Sequence, residues 1–251
     1  MVSEESRADR ERLADPAWRP LFVAGAAAAG IAVALYVLAL VLFVATPAPP
    51  APDAGGVAML EHVAANQGAY LVKQVLWLAP SLAMMVVALA LTVALAPVSK
   101  SFALIAGVIG VASWALSFAW PTTGEGSLAM VVLSDRYAEA GSDAERAAFV
   151  AGAETLIALN DLPAVVLGVV QAFGILLLSA LMTRGVFPRG LAWLGVATGL
   201  VGIVAEALRP MIGWAYAIYG LALFVWLIWV GLALWRLGTG DRDPVNNAEA
   251  A

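Results

Sequence analysis

The chain has 251 residues, of which 63% are hydrophobic and only 12% are charged, and its mean hydropathy is +0.91. A soluble domain is about one quarter charged, so this chain has too few charged side chains to cover a soluble surface. The composition excludes a soluble enzyme and a disordered chain, and the net charge of −5 argues against a nucleic-acid partner. Most residues must therefore contact lipid or one another.

Cysteine and histidine usage restricts the chemistry further. The chain has no cysteine and one histidine, His62. Disulfides, thiolate metal sites and cysteine nucleophiles are excluded, as are sites that need paired imidazoles. The sequence predicts neither a metal site nor a cofactor.

Six apolar stretches are long enough, or nearly so, to cross a bilayer core as helices, which takes about 20 residues. Proline residues mark several of their ends, and Pro80 alone lies well inside a stretch, where it should kink the second helix. The predicted spans are about 21–45, 75–96, 102–120, 162–182, 191–208 and 211–235. The predicted fold is therefore an all-α, polytopic membrane protein, with one membrane domain over residues 20–238 between polar tails at 1–19 and 239–251.

The distribution of Lys and Arg predicts the orientation. With both termini on one side, that side carries nine of the thirteen basic residues and the other side carries four. This arrangement favours cytoplasmic termini and long loops on the outer face of a cell membrane.

Two long outer connections are predicted to contain amphipathic helices. In the first, a Pro-rich extended segment from Thr46 precedes a helical stretch that places Met59, Leu60 and Val63 on one face. In the second, Ser142 and Glu145 have the spacing of a capping box. We expect helices over 142–160 and 128–139. These segments either form a cap on the outer face or lie on the lipid headgroups.

Polar residues in or beside the spans are the candidate functional residues, because such groups are costly in a membrane. Gln171 lies near the middle of the fourth span, where it either bonds to a neighbouring helix or faces a ligand. Glu206 and Arg209 are three residues apart, so they form either an interfacial ion pair or the charged rim of an outward pocket.

The other candidates are predicted near the same outer level. Lys73 is expected to extend its ammonium toward the headgroups. Asn160 and Asp161 are expected to cap the fourth span. The candidate outer pocket consists of the following residues: His62, Lys73, Glu154, Asp161, Glu206 and Arg209.

Small residues recur at helical spacing in two spans. Gly195, Gly199 and Gly202 form such a face in the fifth span, and Gly25 with Ala29 does so in the first. These faces favour close packing between helices of one chain over self-association of two chains. Two partners are predicted: membrane lipid, and a second copy of the chain that would form a homo-oligomer through such a face.

The second half of the chain resembles a known family. Val186-Phe-Pro-Arg-Gly begins a Gly-rich span that ends in Glu-Ala-Leu-Arg-Pro210, and Trp229-Val-Gly231 follows. This pattern resembles the six-span prokaryotic membrane family called domain of unknown function 4386. The resemblance implies six helices in a prokaryotic cell membrane, and it assigns no activity and no catalytic residue.

The sequence favours a non-enzymatic membrane protein that binds a small or lipidic ligand, or a partner protein, under its outer loops. One alternative is a small-molecule transporter, although no inverted repeat or broken-helix pair is evident. A weaker alternative is a lipid-modifying enzyme that uses Glu154, Asp161 or Glu206 as a base beside His62. No catalytic residue is assigned.

Overall fold

The computed structural model describes residues 16–120, 122–123, 126–209, 211 and 215–240, with the side chains of 16, 122, 160–164 and 215 excepted. Nine α-helices and one short hairpin are present in this part of the chain. The helices are α1 (Arg19–Ala45), α2 (Gly55–Ala65), α3 (Gln67–Leu78), α4 (Pro80–Leu95), α5 (Lys100–Ala119), α6 (Ala129–Glu139), α7 (Asp143–Met182), α8 (Arg189–Ala207) and α9 (Ala215–Thr239). The hairpin pairs β1 (Thr122–Thr123) with β2 (Gly126–Ser127).

Six helical segments are long and apolar enough to cross a membrane, as the sequence predicts. They are Arg19–Ala45, Gln67–Leu95, Lys100–Ala119, Val165–Met182, Arg189–Ala207 and Tyr216–Thr239. Large apolar side chains such as Leu104 and Val204 are more than half exposed on the helix faces that point away from the protein interior. Because only lipid tails accept such a surface without cost, these faces are the lipid contact.

The six spans form a closed ring in chain order. Each span contacts the next, and α9 returns to pack against α1. The interior of the ring is filled by a single apolar core that includes Phe22, Met84, Trp114 and Trp226. Because the number of spans is even, α1 begins and α9 ends at the same end of the ring, where the connections from α4 to α5 and from α7 to α8 are short. We call this end the terminal end.

Glycines allow α8 to approach its two neighbours closely. A Cβ on Gly199 would lie 2.6 Å from Leu176 Cβ and 2.7 Å from the Leu176 backbone nitrogen of α7. A Cβ on Gly202 would lie 2.6 Å from the ring of Tyr219 in α9. The predicted small-residue face is thus buried within the chain, where it stabilises the contact of α7, α8 and α9.

The two long connections form a cap at the opposite end of the ring, which we call the cap end. Helices α2 and α6 and the first half of α7 contact one another around a second apolar core. Met59, Leu60 and Val63 of α2 are all buried there, on the helix face that the sequence predicts. The segments therefore pack together and do not lie separately on the headgroups.

Hydrogen bonds hold the cap helices in place. Ser134 Oγ donates to the carbonyl of Leu60 at 2.7 Å, which joins α6 to α2. Ser142 caps α7 as predicted, since its Oγ accepts from Glu145 N at 3.3 Å, whereas the Glu145 carboxylate accepts from Gly141 N at 2.9 Å, one residue before the N-cap. These contacts stabilise the start of α7.

Two features of the second and fourth spans bear on the sequence predictions. The helix of the second span is interrupted at Ala79, between Leu78 and Pro80, which is where the sequence predicts a kink. The fourth span, however, is the second half of one 40-residue helix, Asp143–Met182. The prediction of a separate helix capped by Asn160 and Asp161 was therefore wrong. The side chains of both residues lie outside the described part of the chain.

The glycine contact predicts a stability difference between two single substitutions. Gly199→Ala places a methyl group against the Leu176 backbone, which cannot rotate away, so we expect a loss of about 1–3 kcal/mol. Gly220→Ala is the matched control, because no atom lies within 4 Å of its added Cβ. We expect it to change stability by less than about 1 kcal/mol. Thermal unfolding of both variants in one detergent measures the difference, and equal melting temperatures would contradict the contact.

Candidate functional site

Glu206 and Arg209 form an ion pair at the end of α8. Arg209 Nη1 lies 3.4 Å from Glu206 Oε2, with side-chain exposures of 20% and 5%, respectively. The Glu206 carboxylate packs directly against Gly168 of α7, where any side chain would displace it. The pair is thus more buried than the ordinary interfacial ion pair that the sequence allows as one alternative.

Two tyrosines of α9 complete this group. The guanidinium carbon of Arg209 lies 5.4 Å from the centre of the Tyr216 ring, a cation–π distance. The rings of Tyr216 and Tyr219 are 6.0 Å apart in an edge-to-face arrangement. We call these four residues, Glu206, Arg209, Tyr216 and Tyr219, the rim cluster. Its charge is balanced, and its walls are aromatic.

An aromatic bridge crosses from α9 to the second span at the cap end. The Tyr36 ring of α1 lies 5.9 Å from Trp77 of α3 and also 5.9 Å from Phe224 of α9. Trp77 is one helical turn beyond Lys73 and Gln74 in α3. This bridge connects the part of α9 that bears the rim cluster with the inward face of α3.

Helix α3 turns three polar side chains inward beneath the cap. Tyr70, Lys73 and Gln74 are 1%, 2% and 0% exposed. Tyr70 Oη accepts from Ser127 N at 3.0 Å and donates to Ser127 O at 3.1 Å, and Thr123 Oγ1 donates to Gln74 Oε1 at 2.9 Å. We call these five residues, Tyr70, Lys73, Gln74, Thr123 and Ser127, the junction layer.

One donor of the junction layer is unsatisfied among the described residues. Gln74 Nε2 is fully buried and has no hydrogen-bond partner there. A buried amide donor in this state costs about 1–3 kcal/mol. The junction layer thus presents an ammonium group and an amide N–H, both of which are donors.

The position of Lys73 differs from the prediction. The sequence predicts a side chain that extends to the headgroups, but Lys73 lies inside the protein. The physical reason is the cap, because β1 of the hairpin packs on α3, and the hairpin in turn packs against α7. An ionisable residue enclosed in this way is costly unless its charge is compensated.

The other members of the predicted outer pocket lie elsewhere in the cap. Glu154 contacts Gly55 and Gly56 at the start of α2, where a carboxylate interacts favourably with the helix N-terminus. His62 is half-buried on the same helix. The Asp161 side chain lies outside the described residues. Glu206 contacts Gly168, which lies about 21 Å from Glu154 along α7. The sequence, in contrast, predicts both carboxylates at one depth.

Gln171 joins two helices in the interior of the ring. Its Nε2 donates to Ser117 Oγ of α5 at 2.6 Å. A cavity of about 10 Å³ lies beside it, between Trp114 and Trp226, which is room for about one water molecule. The interhelical hydrogen bond, one of the two predicted roles, is therefore confirmed for Gln171.

Several residues of the site, such as Gln74, Tyr36 and Tyr219, are missing from the sequence prediction, and one pattern could have identified Gln74. Tyr70, Lys73, Gln74 and Trp77 have the i, i+3, i+4, i+7 spacing of one helix face. Tyr36 and Tyr219 give no such signal, because their partners come from distant spans. Among the described residues, no group of three or more acidic or histidine side chains is placed to hold a metal ion.

The comparison with known families agrees with this architecture. The family model described as Domain of unknown function (DUF4386) matches residues 21–235, which include all six spans. The chain belongs to the DUF4386 family. No curated protein and no solved structure matches it. The family resemblance that the sequence predicts is thus confirmed.

The rim cluster predicts non-additive effects of substitution. Arg209→Gln leaves the Glu206 carboxylate buried against Gly168 without its cation, so we expect a loss of about 2 kcal/mol. Glu206→Gln with Arg209→Gln removes both charges and should recover part of that loss. Thermal unfolding of the two single variants and the double variant measures the coupling, and additive losses would show that the pair does not interact.

Proposed function

We propose that this DUF4386 protein is a non-enzymatic membrane protein that binds an amphipathic, lipidic ligand at its cap end. The single observation that carries the proposal is the junction layer, in which Gln74 Nε2 is buried without a partner beside the buried Lys73. Both groups donate hydrogen bonds and one is cationic. They would accept an anionic headgroup, such as a carboxylate.

The energetic argument favours a binding role over a purely structural one. An apolar side chain at position 74 would avoid the cost of the unsatisfied amide. Groups that reduce the stability of the free protein in this way are typical of sites adapted for binding.

The aromatic bridge and the rim cluster would contribute the remainder of the site. The rings of Tyr36, Trp77 and Phe224 offer apolar faces to an alkyl chain. Glu206 and Arg209 would form the charged border on the α9 side. Glu154 and His62 belong to the cap in this proposal. They would stabilise the cap over the site without contacting the ligand.

The two alternative functions have less support. Transport would need an aqueous path to Gln171, and the cavity beside that residue holds about one water molecule. For lipid modification, two of the carboxylates that the sequence offers as a base, Glu154 and Glu206, contact points about 21 Å apart along α7, so they do not share one site. Ligand binding requires neither feature.

We further propose that both termini are cytoplasmic in a prokaryotic cell membrane and that the cap faces outward. The described residues of the terminal end include Arg19, Lys100, Arg184, Arg189 and Arg236 and no acidic residue. Basic residues beside spans favour the cytoplasmic side. Self-association would have to use faces other than Gly195–Gly202, since that face packs against α7 and α9.

The binding proposal predicts different effects on stability and on ligand response. Gln74→Leu removes the unsatisfied donor and also the acceptor of the Thr123 hydroxyl, so the gain and the loss should offset each other and the free protein should melt close to the wild-type temperature. The same variant should lose most of the stabilisation that oleate gives to the wild-type protein in lipid nanodiscs. Oleyl alcohol, which has no charge, should stabilise neither form.

Ser134→Ala is the matched control for that experiment. Its hydroxyl is also fully buried in the cap, but it is satisfied by the carbonyl of Leu60. We expect it to cost about 1–2 kcal/mol and to leave the oleate response intact. The proposal fails if Gln74→Leu destabilises the protein as much as this control does, or if it keeps the full oleate response.

The orientation can be measured directly because the natural chain has no cysteine. Ala144→Cys, exposed in the cap, should react with a membrane-impermeant maleimide on intact cells. Ser101→Cys, exposed at the terminal end, should react only after the membrane is permeabilised. The reverse labelling pattern would place the cap in the cytoplasm.

A further inference from the structure

A second binding feature lies at the terminal end, on the opposite side of the membrane from the junction layer. A cavity of about 200 Å³ opens between the connection that precedes α8 and the last turns of α9. Phe187 and Pro188 form one wall, and Trp229, Leu232 and Ala233 form the other. Arg236 lies at one end of the cavity, where α9 approaches the membrane surface.

The position of the cavity matches the dimensions of a phospholipid. Arg236 is two turns from Trp229 on α9, so the cavity extends about 10 Å along the helix toward the bilayer centre. Most of its lining residues are apolar, and two of them, Leu232 and Trp229, are 57% and 37% exposed. The upper part of an acyl chain would fit between these walls while its headgroup remained at the level of Arg236.

The charge at this end selects the headgroup. Arg236 lines the cavity, and Arg184 and Arg189 are exposed at the same end of the protein. A guanidinium group binds phosphate oxygens with paired hydrogen bonds. Basic pockets between helices at the membrane surface are a common setting for acidic headgroups.

We propose that this cavity binds one anionic phospholipid, with its phosphate on Arg236 and an acyl chain between Phe187 and Trp229. The lipid would fill the space between the α8 connection and α9 and so hold Pro188, which precedes the first residue of α8. The proposal is independent of the ligand at the cap end, because the two sites share no residue.

Native mass spectrometry of the full-length protein in detergent tests the proposal with phosphatidylglycerol as the probe. We expect one retained phosphatidylglycerol per chain and much weaker retention of phosphatidylcholine with the same acyl chains. Arg236→Gln should reduce retention about fivefold, the effect expected for loss of one cation near an anionic headgroup. Ala233→Phe should fill the cavity and reduce retention while leaving every charge in place.

Arg184→Gln is the matched control, since Arg184 is exposed at the same end but does not line the cavity. It should retain phosphatidylglycerol as the wild-type protein does. Equal losses in Arg184→Gln and Arg236→Gln would overturn the proposal in favour of diffuse charge attraction. Unchanged retention in Arg236→Gln, or displacement of the lipid by inorganic phosphate at equal concentration, would also overturn it. If Ala233→Phe does not fold, the two arginine variants decide the question.

Discussion

The close contact of α8 with α7 and α9 determines where several buried polar groups of the spans lie. Gly195, Gly199 and Gly202 recur on one face of α8, and Glu206 continues the same face one turn further along. The glycines bring the three helices together, and the carboxylate therefore enters the gap beside Gly168 instead of the headgroup region. Arg209 pairs with this carboxylate, and Tyr219 packs against Gly202 one turn before it.

The same contact leaves two buried polar atoms in the middle of the membrane. Ser179 Oγ and Trp226 Nε1 both lie against Gly195, and neither has a hydrogen-bond partner among the described residues. In a bilayer such groups are costly. The packing of Trp226 against Met84 and Trp114 at the centre of the ring offsets this cost, since dispersion contacts between helices drive their association in lipid.

The spans were predictable because the hydrophobic thickness of a bilayer imposes both a length and a composition. All six predicted stretches correspond to observed spans, with ends that differ by a few residues at most positions. The helix over Ala129–Glu139 and the N-cap at Ser142 were also predictable, since both depend on neighbours in sequence. Local patterns of this kind are preserved in the folded protein.

The candidate site was less predictable because its members meet only through tertiary contacts. The burial of Lys73 depends on a hairpin about fifty residues further along the chain, and its sequence context alone favours exposure. The continuity of α7 also depends on tertiary contacts, because Asn160, Asp161 and Pro163 together have the local pattern of a helix start. Packing of α7 against the cap on one side and against α8 on the other stabilises a single helix through that pattern.

The continuous α7 connects the cap with the rim cluster. Its first half supports the cap core through Ala153, and its second half contacts Glu206 through Gly168. A displacement of the cap that admitted a ligand would therefore act on a helix that also bears one wall of the rim cluster. The hairpin that bears part of the junction layer and the Glu206 carboxylate of the rim cluster therefore pack against one continuous helix. A break at Asp161, which the sequence predicts, would have separated them.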